Sequence, residues 1–285
     1  MHFDINKVAV FITCVAVFTA TLYGIMRPFK YSVTSPIPQS SRDIFFSTPT
    51  LLEEAGGYES SLNNLYWLNS GALAYVYGST SIRTLTGDLE KGSKWQRAYM
   101  VSNPIDTENG YHPQNLFRLF TKAVFSDAVY QTYFKITKIV LSQSPNRNES
   151  NGVLIMFHAK DNANLYYAGL RVDGTAVIKK KTTGDYMTLG EVPVFAFAKY
   201  DKNSNPNLLP LDVWLGVQVK IKELPLKQED ITLSIDIGNS GMWVPMIHVI
   251  DTFQNNVPTL FEPSHAGLRT DFMEVQMKDF TITSI

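Results

Sequence analysis

The sequence predicts an all-β fold, a two-sheet antiparallel β-sandwich, preceded by one N-terminal transmembrane helix. Its clearest signal is the stretch 151–181, where three runs rich in Val, Ile, Leu, Tyr and Phe are separated by turns at 160–164 and at Asp173-Gly174. An Asp-Gly pair between β-rich runs favours a tight hairpin, because a type I′ turn needs positive φ at both central residues. Short strands with turn formers roughly every eight to twelve residues continue along the chain, which is typical of a sandwich.

The composition limits what this protein can do. The chain of 285 residues carries a net charge of −1, and its Lys and Arg residues form no basic tract, so we expect no nucleic-acid partner. The single cysteine, Cys14, lies in an apolar N-terminal run. The folded part is therefore expected to have no disulfide, no thiol chemistry and no thiolate zinc site.

The N-terminal region predicts a membrane anchor. Residues 8–26 are apolar and uncharged, about the length of a bilayer core. A short flank at 1–7 precedes them, and a spacer at 27–50, rich in Ser, Thr and Pro, follows. The β-domain is then expected to occupy residues 51–285. This organisation predicts a single-pass membrane protein whose β-domain is extracytoplasmic.

A cleaved signal peptide and a buried N-terminal helix are the two alternatives for the apolar run. A signal peptide has a shorter apolar core and ends at small residues that form its cleavage site. Here Leu22 and Tyr23 interrupt the small residues, and Pro28 follows closely. The run therefore favours an uncleaved anchor.

Beyond the spacer, alternation of apolar and polar residues predicts the strands. The runs 65–68 and 72–77 read as a pair of strands, and 95–100 as a further strand, before a long loop of turn formers at 102–114. The remaining strands outside 151–181 are predicted at 80–89, 116–121, 130–141, 192–198, 214–221, 231–237, 243–249, 266–270 and 273–282.

Four segments resemble the concanavalin A-like lectin/glucanase superfamily, which includes LamG-like domains and family-16 glycoside hydrolases. They are 214–220 (WLGVQVK), 231–236 (ITLSID), 265–270 (HAGLRT) and 278–282 (KDFTI). The resemblance covers roughly 63–285 and implies that the sandwich is a jelly roll. It is compatible with lectin-like modules, glycoside hydrolases and polysaccharide lyases, because all three use this fold.

The spacing of the acidic residues does not support the glycosidase branch of this superfamily. Its family-16 members share a strand motif E-x-D-x-E or E-x-D-x-x-E, which supplies the two closely spaced carboxylates that retaining hydrolysis needs. No such triplet occurs here, since Glu223, Glu229, Asp230 and Asp236 lie at other spacings or in turns. The lyase branch instead implies an Arg or Gln that neutralises a uronate, with His and Tyr as base and acid. Its candidates in this chain are His112, Arg118 and Tyr167.

A second set of residues predicts a ligand-binding face. If Ala168 and Leu170 face the core, Tyr167 and Arg171 face outward on the same strand. Aromatic rings and cationic groups together suit an acidic or mixed glycan, although such side chains are also normal on a solvated outer face. The predicted ligand-binding residues are Gln131, Tyr133, Lys135, Tyr167, Arg171, Lys179 and Lys181.

Asp279 is a candidate for a structural calcium site. The resemblance implies an acidic residue on the closing strand as a calcium ligand, and oxygen donors suit this ion. The alternative is a β-bulge residue that turns Phe280 and Ile282 inward. No other cofactor is expected.

These observations predict a membrane-anchored carbohydrate-binding module whose partners are a polysaccharide or other glycan and, through the N-terminal helix, the membrane. The first alternative is a polysaccharide lyase or another carbohydrate-active enzyme of the same fold. The second is a structural cell-surface protein without a binding groove.

Overall fold

A computed structural model describes residues 48–195, 197–252 and 259–285. The predicted flank at 1–7, the transmembrane helix at 8–26 and nearly all of the spacer at 27–50 lie outside the described residues. The predicted localisation, single-pass in a membrane with an extracytoplasmic β-domain, is corrected here. No helix in the described ranges is long and apolar enough to cross a membrane.

The described residues form fifteen strands and one α-helix, numbered in chain order. They are β1 (Thr50–Glu53), β2 (Tyr66–Ser70), β3 (Leu73–Tyr77), β4 (Ser81–Thr84), α1 (Lys94–Ser102), β5 (Leu116–Phe125), β6 (Ala128–Ile139), β7 (Gly152–Asp161), β8 (Asn164–Arg171), β9 (Thr175–Thr182), β10 (Asp185–Pro193), β11 (Trp214–Leu224), β12 (Gln228–Ile237), β13 (Val244–Asp251), β14 (Ser264–Asp271) and β15 (Met273–Ser284). A single 3₁₀ turn, Pro113–Asn115, precedes β5.

The strands form two antiparallel sheets packed face to face, so the predicted two-sheet sandwich is confirmed. The eight-stranded sheet has the order β1-β3-β4-β15-β6-β11-β12-β13, and the seven-stranded sheet has the order β10-β9-β8-β7-β14-β5-β2. Consecutive strands β14 and β15 lie in different sheets, and each occupies an interior position of its sheet. Phe272, with φ of 56°, is the residue that joins them.

The predicted three-strand meander is confirmed as β7, β8 and β9, but its second turn has a different form. Of the two turn residues Asp173 and Gly174, only Gly174 has positive φ, at 81°, and its N–H donates to the carbonyl of Arg171. The hairpin is therefore closed by a three-residue loop with glycine in the left-handed region rather than by a two-residue type I′ turn.

Alternation places the core as expected. The side chains of Ala168, Leu170, Ala176 and Ile178 are completely buried between the sheets, where they pack with apolar residues of the opposite sheet. The outward-facing residues of β8 and β9 form, with β5 and β7, a smaller apolar cluster on the outer face of the seven-stranded sheet. This cluster forms the floor of the site described below.

The prediction of a strand at 95–100 is wrong, because these residues lie in α1. The side chain of Ser93 caps the helix by accepting a hydrogen bond from the backbone N–H of Gln96. Gln96 and Tyr99, three residues apart, are both buried, which is a helical and not a strand spacing. The Tyr99 hydroxyl accepts a hydrogen bond from Gly71 N at 2.8 Å, which ties the helix to the corner between β2 and β3.

Two further strand predictions are corrected. The runs 65–68 and 72–77 do form β2 and β3, but they do not pair with each other: β2 pairs with β5, and β3 pairs with β1 and β4. Gly71 and Ala72, both with positive φ, turn the chain from one sheet to the other. The strand predicted at 192–198 begins earlier, as β10, and ends at Pro193.

One end of the core contains buried polar groups, named here the buried polar cluster: His158, Tyr166, Lys180, Glu229 and Asp251. Lys180 lies 2.8 and 3.0 Å from the two carboxylate oxygens of Asp251, and Tyr166 donates its hydroxyl hydrogen to the same carboxylate. Glu229 is fully buried, lies 3.9 Å from His158 Nδ1, and has no hydrogen-bond partner for either oxygen within the described residues. Charged groups on facing sheets therefore meet inside an otherwise apolar interior.

Candidate functional site

The outer face of the seven-stranded sheet carries two adjoining cavities, of about 150 and 430 Å³. Together they form a groove over β5, β8, β9, β10 and β14. The smaller cavity is lined by Leu116, Arg118, Met156, Asn162, Leu165, Tyr167, Lys181, Tyr186, Arg269 and Asp271. The larger cavity is lined by Asp106, Leu116, Asn146, Asn148, Ser150, Asn151, Leu154, Tyr167, Lys179, Tyr186, Arg269 and Asp271.

Two arginines face each other across neighbouring strands in this groove. Arg118 on β5 is directly opposite Arg269 on β14. Asp271 holds Arg269 through three contacts of 3.0 to 3.1 Å between the guanidinium nitrogens and the carboxylate oxygens. Arg118 Nε donates to the hydroxyl of Ser70, at 3.0 Å. The groove thus contains one arginine paired with a carboxylate and one whose side-chain hydrogen bond, among the described residues, goes to a neutral hydroxyl.

The pKa values reflect this crowding of charge. Burial, followed by the neighbouring Arg269, lowers the pKa of Arg118 below its ordinary value. Burial acts in the same direction on Arg269, but Asp271 outweighs it and keeps the pKa of Arg269 above its ordinary value. The cationic form of Arg118 is therefore less stabilised than that of Arg269. An anionic ligand would stabilise the cationic form of Arg118.

Two tyrosines form the aromatic part of the groove. The rings of Tyr167 and Tyr186 meet edge to face with centroids 6.0 Å apart, and Lys181 Nζ lies 4.9 Å from the centre of the Tyr186 ring. Burial raises the pKa of Tyr167. Burial also acts to raise the pKa of Tyr186, but the nearby cations Arg269 and Lys181 outweigh burial and lower this pKa below its ordinary value.

The structure brings several predicted residues together here. Arg118, Tyr167, Lys179 and Lys181 all line the groove. Arg171 lies on the same face of β8 but not in the lining, and its guanidinium is paired with the carboxylates of Asp173 and Glu191. Four of the five residues predicted on β5, β8 and β9 therefore share one site.

The other predicted ligand-binding residues lie elsewhere. Gln131, Tyr133 and Lys135 are on β6, which belongs to the eight-stranded sheet. There Tyr133 donates to Asp236 at 2.8 Å, and Lys135 lies over the ring of Trp214. The single face predicted from all seven residues is thus divided between the two sheets, because alternation along a strand does not reveal which sheet the strand joins.

His112 is also apart from the groove. It is buried in the loop before β5, with Nε2 at 3.2 Å from Glu108 and 3.6 Å from Asp88. It does not line either cavity. The predicted base, His112, is therefore not brought together with Arg118 and Tyr167.

Other groove residues were not predicted as site residues, among them Tyr186, Arg269 and Asp271. On β14, Arg269 and Asp271 alternate with the buried Leu268 and Thr270. Because successive side chains of a strand face opposite sides, this alternation indicates that Arg269 and Asp271 lie on the outer face. Tyr186 lies in the first half of β10, for which no strand was expected. The alternation of apolar and polar residues along β10 is weak because β10 is an edge strand with mostly exposed side chains.

Asp279 lies at a β-bulge in the closing strand β15. Its φ is 53°, and the pairing of β15 with β6 shifts register between Lys278 and Thr281, while Phe280 packs in the core. Its carboxylate lies 3.7 Å from Lys278 Nζ. No group of three or more His, Cys, Asp or Glu side chains in the described ranges is arranged to hold a metal ion. Calcium binding by Asp279 stays a prediction.

No protein-family model and no curated protein sequence matches this chain. Among solved structures, it is similar to the carbohydrate-binding module CBM66 from Bacillus subtilis, with 15% identity and a TM-score of 0.40 over 59% of this chain and 82% of that chain. It is also similar to a Bacillus licheniformis beta-glucanase, with 8% identity and a TM-score of 0.38 over 84% of this chain and 99% of that one.

A third similarity is to the PL-14 alginate lyase from Aplysia kurodai, with 8% identity and a TM-score of 0.34 over 84% of this chain and 100% of that chain. These similarities concern the fold. The two antiparallel sheets confirm the two-sheet sandwich predicted from the sequence, and no specific family is indicated.

Proposed function

We propose that this protein is a carbohydrate-binding module that holds an acidic glycan in the groove of the seven-stranded sheet. The observation that carries the proposal is the presence of three cations, Arg118, Lys181 and Arg269, around a cavity that contains one carboxylate, Asp271. Guanidinium and ammonium groups in a partly buried site pair strongly with carboxylate or sulfate groups. An anionic ligand would reduce the repulsion between the two opposed arginines.

The tyrosines supply the second half of the argument. Tyr167 and Tyr186 present ring surfaces at the same cavity, and such rings offer a large, rigid contact area together with a polar hydroxyl. A sugar has both apolar C–H faces and hydroxyl groups, so a ring beside a cation suits an acidic sugar better than a free inorganic anion. The groove therefore has the two elements that an acidic glycan requires.

Both carboxylates of the groove are already hydrogen bonded, which favours glycan binding over hydrolysis by a pair of carboxylates. That chemistry needs two carboxyl groups available to the substrate. Among the described lining residues, the acidic side chains are Asp106 and Asp271. Asp106 accepts hydrogen bonds from Ser144 and Asn146, and Asp271 is held by Arg269. Both are thus engaged in holding the walls of the groove.

Lys181→Met tests the binding site directly. We expect this variant to bind acidic polysaccharides such as polygalacturonate at least about tenfold more weakly, because a hydrogen bond to a charged group contributes about 1.5–3 kcal/mol. Isothermal titration calorimetry with an acidic and a neutral polysaccharide provides the measurement. Lys222→Met, an exposed lysine on β11 of the other sheet, is the matched control. Equal affinity of the two variants, or no binding of any acidic glycan by the unaltered protein, would contradict the proposal.

The lowered pKa of Tyr186 favours a second candidate, a polysaccharide lyase acting in the same groove. In a β-elimination, a base removes the proton at C5 of a uronate, a C4=C5 double bond forms, and the C4–O bond breaks. The leaving oxygen takes the bonding electrons and then a proton. Tyr186 would be the base, since Arg269 and Lys181 stabilise its phenolate, and Arg118 would neutralise the uronate carboxylate.

Tyr186→Phe distinguishes the two candidates. If the protein is a lyase, incubation with acidic polysaccharides produces the ultraviolet absorbance of an unsaturated uronate, and Tyr186→Phe abolishes this absorbance while retaining binding. If the protein is a binding module, neither form produces the absorbance. We expect the second result, because His112, the predicted partner in proton transfer, lies outside the groove.

A further inference from the structure

The two cavities of the groove differ in their charge. The smaller has three cations, Arg118, Lys181 and Arg269, and one carboxylate, Asp271. The larger shares Arg269 and Asp271 with the smaller and adds Lys179 and Asp106, which makes two cations and two carboxylates. One end of the groove therefore carries an excess of two positive charges, and the other end is balanced.

Beside these four charged groups, the balanced end has a wall of neutral hydrogen-bonding groups. Asn146, Asn148, Ser150 and Asn151, all in the loop between β6 and β7, form its wall. This loop is held in place by Arg147, which donates to the carbonyls of Ser142 and Lys202. The amide and hydroxyl groups of the wall are thus presented from a fixed backbone.

Asn151 is the most informative residue of this wall. Its side chain is buried, and its amide oxygen accepts a hydrogen bond from the backbone N–H of Asn148, at 2.7 Å. Its amide nitrogen makes no hydrogen bond within the part of the chain that the structure describes, yet the residue lines the cavity. Two N–H donors are therefore available to a ligand at this position, and a hydroxyl or carbonyl oxygen would accept from them.

A second anionic sugar would fit poorly at this end. It would approach two carboxylates, Asp106 and Asp271, and of the two cations there Arg269 is already paired with Asp271. Burial and the neighbouring Arg171 lower the pKa of the remaining cation, Lys179. Like-charge approach in a partly buried site is unfavourable, whereas a neutral sugar would meet donors and acceptors without this cost.

We infer that the ligand is a heteroglycan in which an acidic sugar alternates with a neutral one, rather than a homopolymer of acidic sugars. The inference rests on the proposed function and specifies its ligand class. The acidic sugar occupies the smaller cavity beside Arg118, Lys181 and Tyr186. The adjacent neutral sugar occupies the larger cavity, where its hydroxyl or acetamido oxygen accepts hydrogen bonds from Asn151.

The test compares two unsulfated polymers of matched length by calorimetry. One is hyaluronan, in which glucuronate alternates with a neutral N-acetylated sugar, and the other is polygalacturonate, a uronate homopolymer. We expect the alternating polymer to bind at least about tenfold more tightly, the effect of one good hydrogen-bonded contact with a charged or buried group. Equal or tighter binding of the homopolymer would overturn the inference and leave the proposed function intact. Binding of neither polymer, nor of any other acidic glycan, would overturn the proposed function itself.

Asn151→Asp adds a test of the residue. Aspartate keeps the oxygen that accepts from Asn148 N and replaces the two donors by a second oxygen, so the loop can retain its shape. We expect this variant to lose about tenfold in affinity for the alternating polymer while its affinity for free glucuronate changes little. Asn239→Asp, which adds the same charge in the turn between β12 and β13, is the control. If Asn151→Asp and Asn239→Asp behave alike, Asn151 does not contact the neutral sugar.

Discussion

Replacing Lys180 by Met should destabilise the folded domain by about 3–5 kcal/mol, a shift of roughly 10 °C in the thermal midpoint. The side chains of Lys180 and Asp251 are 1% and 2% exposed, and they are joined by an ion pair at 2.8 Å. Methionine fills a similar volume but leaves the Asp251 carboxylate buried, and within the described ranges the hydroxyl of Tyr166 is then its remaining hydrogen-bond partner. The cost of the variant is therefore that of a buried charge without a counter-charge.

The chain supplies matched controls on the same strand. Lys179 and Lys181 flank Lys180 on β9 but face outward, so Lys179→Met and Lys181→Met should change the free energy of unfolding by only about 0.5 kcal/mol. Urea unfolding of the three variants gives the comparison. The double variant Lys180→Met with Asp251→Leu should recover much of the loss, because both charges are then removed. If Lys180→Met unfolds at the same urea concentration as its neighbours, the ion pair does not stabilise the core.

Glu229→Gln should remove a pH dependence of stability and make the domain more stable at pH 8. Burial, followed by the nearby carboxylates of Asp127, Glu223 and Asp251, raises the pKa of Glu229 from 4.5 to about 8. The folded state therefore keeps a proton that the unfolded chain loses near pH 4.5. This contribution to stability is fully present below pH 4.5 and is lost as the pH rises through about 8.

The groups that face Glu229 come from six elements: Asp127 in the turn before β6, Tyr130 on β6, His158 on β7, Tyr166 on β8, Glu223 on β11 and Asp251 on β13.

Glutamine is neutral at every pH and has the shape of the protonated acid. Urea unfolding at a series of pH values from about 4 to 9 should give a flatter profile for Glu229→Gln than for the unaltered protein. Glu223→Gln removes an exposed cross-strand neighbour of Glu229 whose charge raises the Glu229 pKa less than burial does; it is the control and should retain most of the slope. Identical profiles for all three proteins would show that Glu229 is ionised in the folded state.

What could be predicted from the sequence was local. A period of two along β8 and β9 placed Ala168, Leu170, Ala176 and Ile178 correctly in the core, because successive side chains of a strand must point to opposite faces. The same period placed Tyr167 on the outer face. It also puts Lys180 inside, but the partner that makes this position possible, Asp251, is 71 residues away and belongs to the other sheet.

What could not be predicted was which strands are neighbours. The sequence pattern of β6 is as clear as that of β8, and so Tyr133 and Tyr167 were expected to share a face. Sheet membership is decided by packing between distant segments rather than by propensity within either one. The same limit explains β2 and β3, where a reversal at Gly71 and Ala72 suggests a hairpin but transfers the chain between sheets.

The interior positions of β14 and β15 have a consequence for how the chain reaches its folded state. Without residues 264–284, β7 and β5 have no strand between them in one layer, and β4 and β6 have none in the other. Each layer then consists of two separate fragments with open hydrogen-bonding edges facing a gap. Assembly is therefore expected to be concerted and late: both layers become continuous in a single step, when this one segment is inserted, and earlier states expose unpaired edges that can associate with other chains.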